Sequence, residues 1–539
     1  MRRLDICLLL FLLPIVLAAC NSSSPQSQAP RGPGKPAYGD SLVVGSIGEP
    51  STLIPLLASD SASHDVSGQI YSSLVRYDKN LKLEGELAES WQVSPDGLTI
   101  VFHLRKGVKW HDGAPFTSRD VLYTYRITID PKTPTAYAES FKQVKSAEAP
   151  DPHTFRVTYA KPFAPALESW GTSILPAHLL EGKDITKSPL ARQPVGTGPY
   201  RFKEWVAGQR LVLEANPDYF EGRPYISRYV YRIIPDLSTM YMELKAGGID
   251  MMGLTPVQYQ RQTTNREFLS RFNKYRYPAS AYTYLGYNLR HPLFKDKRVR
   301  QAIAAAIDRN EIIQGVLLGM GQMANGPYKP GTWACNPSVK GIPYDTKLAR
   351  RLLAEAGWKE EKPGGMLMKD GKPFSFTILT NQGNEQRMKC AVIMQQRLRA
   401  VGIDVQVRTV EWASFLKNFI DKGDFEAIIL GWTIGQDPDI FDVWHSSKTA
   451  PRELNFIGYK NAEVDRLLEQ GRSTFDQEER KRCYWRLQEI LADEQPYTFL
   501  YVPDALPVVS ARVRGIEPAP AGIMYNLIKW YVPKEEQRY

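Results

Sequence analysis

The chain has 539 residues, more than one hydrophobic core usually organises, so two or three lobes are expected. Its 43% hydrophobic and 23% charged residues are ordinary for a soluble globular protein. The net charge of +10 is scattered among nearly as many carboxylates, with no basic block interleaved with aromatics, which argues against a nucleic-acid surface. A mildly basic surface near an anionic bilayer is the simpler reading. The 28 Tyr and 11 Trp suit cores and binding clefts alike.

Arg2 and Arg3 form a basic start, and the apolar run from Ile6 to Val16 is too short to cross a bilayer as a stable helix. Leu17-Ala18-Ala19-Cys20 follows and resembles a bacterial lipobox, which implies a signal peptide over 1–19 and lipidation of Cys20. Residues 20–38 are rich in Ser, Pro, Gln and Gly and cannot bury enough apolar surface to offset their ordering entropy. They read as a tether of roughly 25 Å r.m.s. reach. Folding is expected to begin near Gly39, on the outer face of a membrane.

Leu42 to Ile47 reads as a buried strand. Trp91 to Val93, the turn Ser94-Pro95-Asp96-Gly97, and the alternating Leu98, Ile100, Phe102 and Leu104 predict a hairpin. Thr117 with Asp120 predicts a capped helix to about Ile129, and His153 to Tyr159 another strand. Val299, Ala302, Ile303, Ala306 and Ile307 share a helical face, and a second helix runs from Asp345 to Gly357. Apolar runs at Phe374–Leu379, Ile403–Val410 and Phe425–Leu430 alternate with helical stretches at 384–401 and 412–421. That alternation predicts parallel strands with helical crossovers. Helices at 461–472 and 476–494 look structural.

In such sheets ligands lie beyond the carboxyl ends of the strands. Here those ends are Thr380-Asn381-Gln382-Gly383, Glu411-Trp412 and Gly431-Trp432-Thr433. Trp412 and Trp432 either line a binding cleft or plug the sheet edge.

No nucleophile elbow, zinc helix or phosphate loop declares an enzyme. Gly196-Thr197-Gly198 is followed by Pro199 and a strand, which leaves no helix terminus for an anion. His64-Asp65 and His111-Asp112 read as turn or cap residues rather than metal ligands. Asp437 and Asp439 flank Pro438 and either bind a cationic ligand group or form a solvated turn. Cys335, Cys390 and Cys483 are odd in number and allow at most one disulfide. No cofactor is expected.

Several segments together resemble the family 5 extracellular solute-binding proteins, the peptide receptors of ATP-driven importers. They are Leu87-Ala88-Glu89-Ser90-Trp91, Trp110 to Thr117 with Asp120-Val121, Gly196 to Tyr200, Lys297 to Ala302, and Gly431-Trp432-Thr433. The resemblance implies a type II periplasmic-binding-protein-like α/β fold, two lobes with a hinge, the larger lobe carrying an extra subdomain. On this chain it implies lobe 1 over 39–282, with the subdomain at about 61–190, lobe 2 over 283–503, and a return to lobe 1 over 504–539. It further implies an oligopeptide ligand, a membrane permease as partner, and a monomer in the cell envelope. By position, Trp412 and Trp432 would line pockets and Thr433 would offer backbone groups. Tyr137 and Tyr501 would close the cleft from other lobes, and Ser61 would be a weaker backbone contact. The aspartate that usually binds a peptide's amino terminus is replaced by Ile434 or Gly435, with Asp437 the nearest substitute. Receptors of this family also take nickel chelates, sugars and haem, so a non-peptide solute is the alternative. A secreted hydrolase and a lipoprotein chaperone are the readings from other classes.

Overall fold

The computed structural model describes residues 34–539, so the expected signal peptide and Cys20 lie outside the described residues. Two seven-stranded sheets organise the molecule. The first is ordered Phe272–Lys274, Pro507–Ser510, Met251–Gly253, Gly39–Ser46, Ile226–Ile233, Arg210–Ala215 and Tyr200–Val206. Gly39–Ser46 runs parallel to both of its neighbours, and the outer pairs are antiparallel. Arg512 locks this centre from the far end of the chain. It is buried against Asp40 and donates to Asp250 at 2.7 and 2.9 Å, while Asp250 also accepts from the Val43 amide. Removing one partner of such a buried pair costs about 3–5 kcal/mol.

A four-stranded antiparallel sheet, ordered Ala88–Val93, Thr99–Leu104, Thr154–Tyr159 and Val144–Asp151, forms the subdomain. Its hairpin turns where the sequence predicts, with Gly97 at φ +72°, a conformation that suits Gly. Phe102, Trp110, Phe116 and Trp170 fill the space between the sheet and the helix Ser118–Ile129. That helix carries the expected capping box of Thr117 and Asp120. Two of the resembling motifs bolt together here. The half-buried ring of His111 accepts from the Gly196 amide through Nδ1 (3.2 Å) and contacts the Gly198 carbonyl through Nε2 (3.0 Å). A β-carbon on Gly196 would sit 1.9 Å from the Ile70 carbonyl oxygen, so only glycine fits.

The second sheet is ordered Tyr277–Pro278, Tyr497–Ala505, Ala281–Tyr287, Ala427–Thr433, Ser375–Asn381 and Asp404–Val410, with Gly321–Met323 paired to Tyr497–Ala505. The last three of the ordered strands are parallel, as predicted, and the helix Glu385–Arg399 makes the first crossover. The strand Ala281–Tyr287 was not predicted. It is buried on both faces and shows no alternation for a sequence reading to detect. The motif Lys297 to Ala302 proves structural: Arg300 is buried and donates to the carbonyls of Phe294 and Glu494 at 2.7 Å.

The chain passes between the sheets twice, from Lys274 to Tyr277 and from Ala505 to Pro507. The two crossings run side by side, since the Tyr275 amide donates to the Pro507 carbonyl and Tyr277 pairs with Ala505. The boundaries expected at 282/283 and 503/504 fall inside the strands Ala281–Tyr287 and Tyr497–Ala505.

Candidate functional site

Parallel strands end at one edge of their sheet, and that topology brings Asn381, Val410 and Gly431 to a common rim. Trp412 follows Val410 and leans across to the first lobe. A β-carbon on Gly48 would lie 3.1 Å from its indole Cδ1, so Gly48 is what lets the ring approach. Its Nε1 is buried and has no hydrogen-bond partner among the described residues. An orphaned buried donor costs about 1–3 kcal/mol, so a group that accepts from it is stabilising.

Trp432 is half-buried, donates to the Tyr497 hydroxyl at 3.2 Å and stacks on Phe456 with ring centroids 5.7 Å apart. Thr433 is exposed and closes the strand. On one side Gly431-Trp432-Thr433 pairs with Ala281, Tyr282 and Thr283. On the other, strand pairing stops at Ile428, which leaves the edge of Gly431 to Thr433 without a strand partner among the described residues. An extended chain can hydrogen-bond to such an edge.

Arg387 stands beside that edge, and sequence reasoning missed it. Its Nη1 donates to Asn381 Oδ1 at 2.8 Å, and its Nη2 lies 3.1 Å from where a β-carbon on Gly431 would be. Tyr284, Tyr501 and Cys390 surround it, burial pulls its guanidinium below the ordinary range, and no described carboxylate pairs with it. It sits in the first turn of Glu385–Arg399, where the helix dipole also opposes a cation. That misplaced charge, just after a strand's carboxyl end, was the legible signal.

The other expected residues divide. Tyr137 is half-buried at the rim; its hydroxyl donates to the Ala58 carbonyl at 2.8 Å and lies 3.1 Å from His64 Nε2. Ser61 is exposed at the start of the helix Ser61–Ser67, which Asp60 caps. Tyr501 does not approach from another lobe. It belongs to the second lobe's own sheet and is 2% exposed, with its hydroxyl 3.9 Å from Cys390 Sγ. Asp437 is taken: Arg480 donates to its carboxylate at 2.6 and 2.9 Å, and its amide donates to Glu168 across the seam. Asp439 is likewise held by Arg472 at 2.7 Å. Cys335, Cys390 and Cys483 are free thiols. Among the described residues no three His, Cys, Asp or Glu side chains gather as a metal group would require.

Beside Trp412 and Tyr137 a cavity of about 480 Å³ opens between the lobes, walled by Ser51, Thr52 and Ala58 from one and Ala413, Lys417 and Arg452 from the other. That volume lies within the usual range for ligand pockets.

Residues 82–452 match the family described as bacterial extracellular solute-binding proteins, family 5. The chain belongs to that family. It is 37% identical to the oligopeptide-binding protein AppA of Bacillus subtilis, over 97% of this chain and 98% of that one. The structure of AppA in complex with a nonapeptide superposes with a TM-score of 0.88 at 36% identity, covering 93% of this chain and all of that one. NikZ from Campylobacter jejuni in complex with Ni(L-His) gives 0.83 at 29% identity, covering 91% and 99%. DppA from Helicobacter pylori in complex with the peptide STSA gives 0.82 at 30%, covering 92% and 99%. The fold is accordingly the two-lobed type II binding-protein fold of this family.

Proposed function

We propose that this chain captures oligopeptides between its two lobes and delivers them to the permease of an ATP-driven importer. The observation that carries the reading is the open strand edge of Gly431 to Thr433, flanked by the unpaired guanidinium of Arg387. An extended peptide backbone satisfies the edge, and its terminal carboxylate is the anion that a half-buried arginine with no described carboxylate partner lacks. The indole Nε1 of Trp412 offers a further donor to a peptide carbonyl. AppA's nonapeptide and DppA's tetrapeptide support the same class of cargo.

In this proposal the expected lobe bounds move to the crossings: lobe 1 comprises 39–274 with its subdomain and 507–539, and lobe 2 comprises 277–505. The paired crossings at 275–276 and 506 act as the hinge. Trp412, Trp432 and Thr433 contact the ligand, with Tyr137 and Ser61 at the rim. Cys20 carries the lipid that tethers the receptor to the outer face of a membrane.

The test is calorimetric titration with a pool of synthetic tri- to nonapeptides lacking Lys, Arg and His. Arg387→Met is expected to weaken binding by about ten- to a hundredfold, the range for a lost charge-assisted hydrogen bond. C-terminal amidation of the pool should weaken the native protein equally and leave the variant indifferent. Unchanged affinity in Arg387→Met would remove the carboxylate from this site.

A further inference from the structure

The cavity between the lobes carries charge that the strand edge and Arg387 do not use. Among the described residues, Glu49 and Arg192 wall it from the first lobe, and Lys417, Asp421 and Arg452 from the second. Both acids are occupied. Glu49 accepts from the Trp205 indole Nε1 at 2.7 Å and from the Gly208 amide at 3.2 Å. Asp421 stands within electrostatic reach of Arg452, so these two offset each other.

That leaves two cations, one on each wall. Arg192 is exposed, and its guanidinium carbon lies 3.8 Å from the centroid of the Trp205 ring. The perch is built: Glu49 fixes the indole, and the indole fixes the guanidinium. A guanidinium stacked on a ring uses its face and keeps its N–H fork free for a planar anion. No described carboxylate takes that fork. Lys417 belongs to the helical turn Phe415–Ile420, is exposed, and its side chain makes no hydrogen bond or ion pair with a described residue. Arg452 stands on the same side as Lys417, with φ +68°, a left-handed conformation that favours glycine and strains an arginine.

A single solvated cation needs no explanation, but here cations from two lobes face one cavity of about 480 Å³. Walls of one sign focus the field inside a cleft, and like charges brought face to face oppose closure of the empty receptor. An anion between them turns that repulsion into attraction, and does so only when the lobes are together.

We infer that the cavity is a subsite for an acidic side chain of the ligand, its carboxylate held between Arg192 of the first lobe and Lys417 of the second, so that the receptor selects peptides carrying Asp or Glu. This deepens the peptide-receptor reading and rests on it. It concerns a side chain, whereas Arg387 serves the terminal carboxylate.

The experiment is calorimetric titration with two matched pools of tri- to nonapeptides, both with free termini. Every peptide of the first carries one internal Glu, and the second has Gln in its place. The native protein should prefer the Glu pool by about tenfold or more, and the double variant Arg192→Met, Lys417→Met should lose that preference while still binding the Gln pool. Both side chains are exposed, and a melting temperature equal to the native one checks that the variant folds. Equal affinity of the native protein for the two pools, or a Glu preference that survives in the double variant, would overturn the inference and leave peptide binding standing. Failure of the native protein to bind either pool would overturn the peptide reading, and this inference with it.

Discussion

Arg387 and Asp65 share a property: burial is the largest influence on the ionisation of each, and neither has a described partner of opposite charge. An unpaired desolvated charge destabilises the empty protein, and for Arg387 its retention points to something that arrives later. The sign of the effect for Asp65 follows from linkage. Its carboxyl titrates near 6 in the folded chain, against the ordinary carboxylate range unfolded. Well below pH 4 both states hold the proton and folding is indifferent to it. As pH rises from about 4 to 6 the unfolded chain has released the proton while the folded chain still binds it, so stability falls through that window. The groups facing it are Asp60, His64, Tyr229 and Tyr231. Burial holds His64 below its ordinary value and holds both tyrosines above theirs, so none of the three is charged at pH 8. Asp65→Asn should therefore raise the melting temperature of ligand-stripped protein by on the order of 2 °C at pH 8 and leave it unchanged at about pH 3. Differential scanning calorimetry checks this; a loss at pH 8 would show that Asp65 already has a partner.

The loop between the strand Ser375–Asn381 and the helix Glu385–Arg399 ties the site to closure. Gly383 has φ +82°, and a β-carbon there would lie 1.9 Å from the Pro235 carbonyl oxygen of the first lobe. Gly113 has a similar φ of +91° with nothing near its missing β-carbon. Gly113→Ala and Gly383→Ala thus share a strain of about 1–2 kcal/mol, but only the second also obstructs the approach of the lobes. Both should lower the melting temperature of stripped protein alike, and only Gly383→Ala should weaken peptide binding, by about tenfold or more in calorimetry. Equal affinities in the two variants would show that this contact does not belong to the bound state.

Much of this element arrangement was legible beforehand. The three parallel strands, their crossovers and the capped helix at Ser118–Ile129 declared themselves through period and punctuation. Ala281–Tyr287 did not, because burial on both faces erases alternation. Tyr501 falls in the second lobe, inside the expected range 283–503, but its ring is packed within that lobe's own sheet at 2% exposure rather than offered to the cleft. Arg387 is one of 68 basic residues, and only the geometry separates it from the paired ones. The Trp110 to Thr117 and Gly196 to Tyr200 motifs carried the resemblance, yet His111 and Gly196 serve the join between subdomain and lobe rather than the ligand.

At the scale of the whole molecule, the seam between the lobes is held by more than the site. Lys448, buried in the second lobe, pairs with Asp442 and Glu453 at 3.5 Å and reaches Glu139 of the subdomain at 3.2 Å. The Ala164 amide donates to the Arg472 carbonyl at 2.8 Å, and the Asp437 amide to Glu168. These contacts span the two lobes, so each favours the closed form and adds to whatever the ligand contributes. Two adjacent chain crossings leave the hinge free to bend, and in the proposed function the closed form becomes the majority once a ligand satisfies Arg387 and the strand edge together. The most direct measurement is native mass spectrometry of the stripped protein after incubation with the peptide pool. The account predicts a ladder of adducts that fragment to peptides, reduced in Arg387→Met at the same pool concentration. A bare protein mass at saturating pool would contradict it.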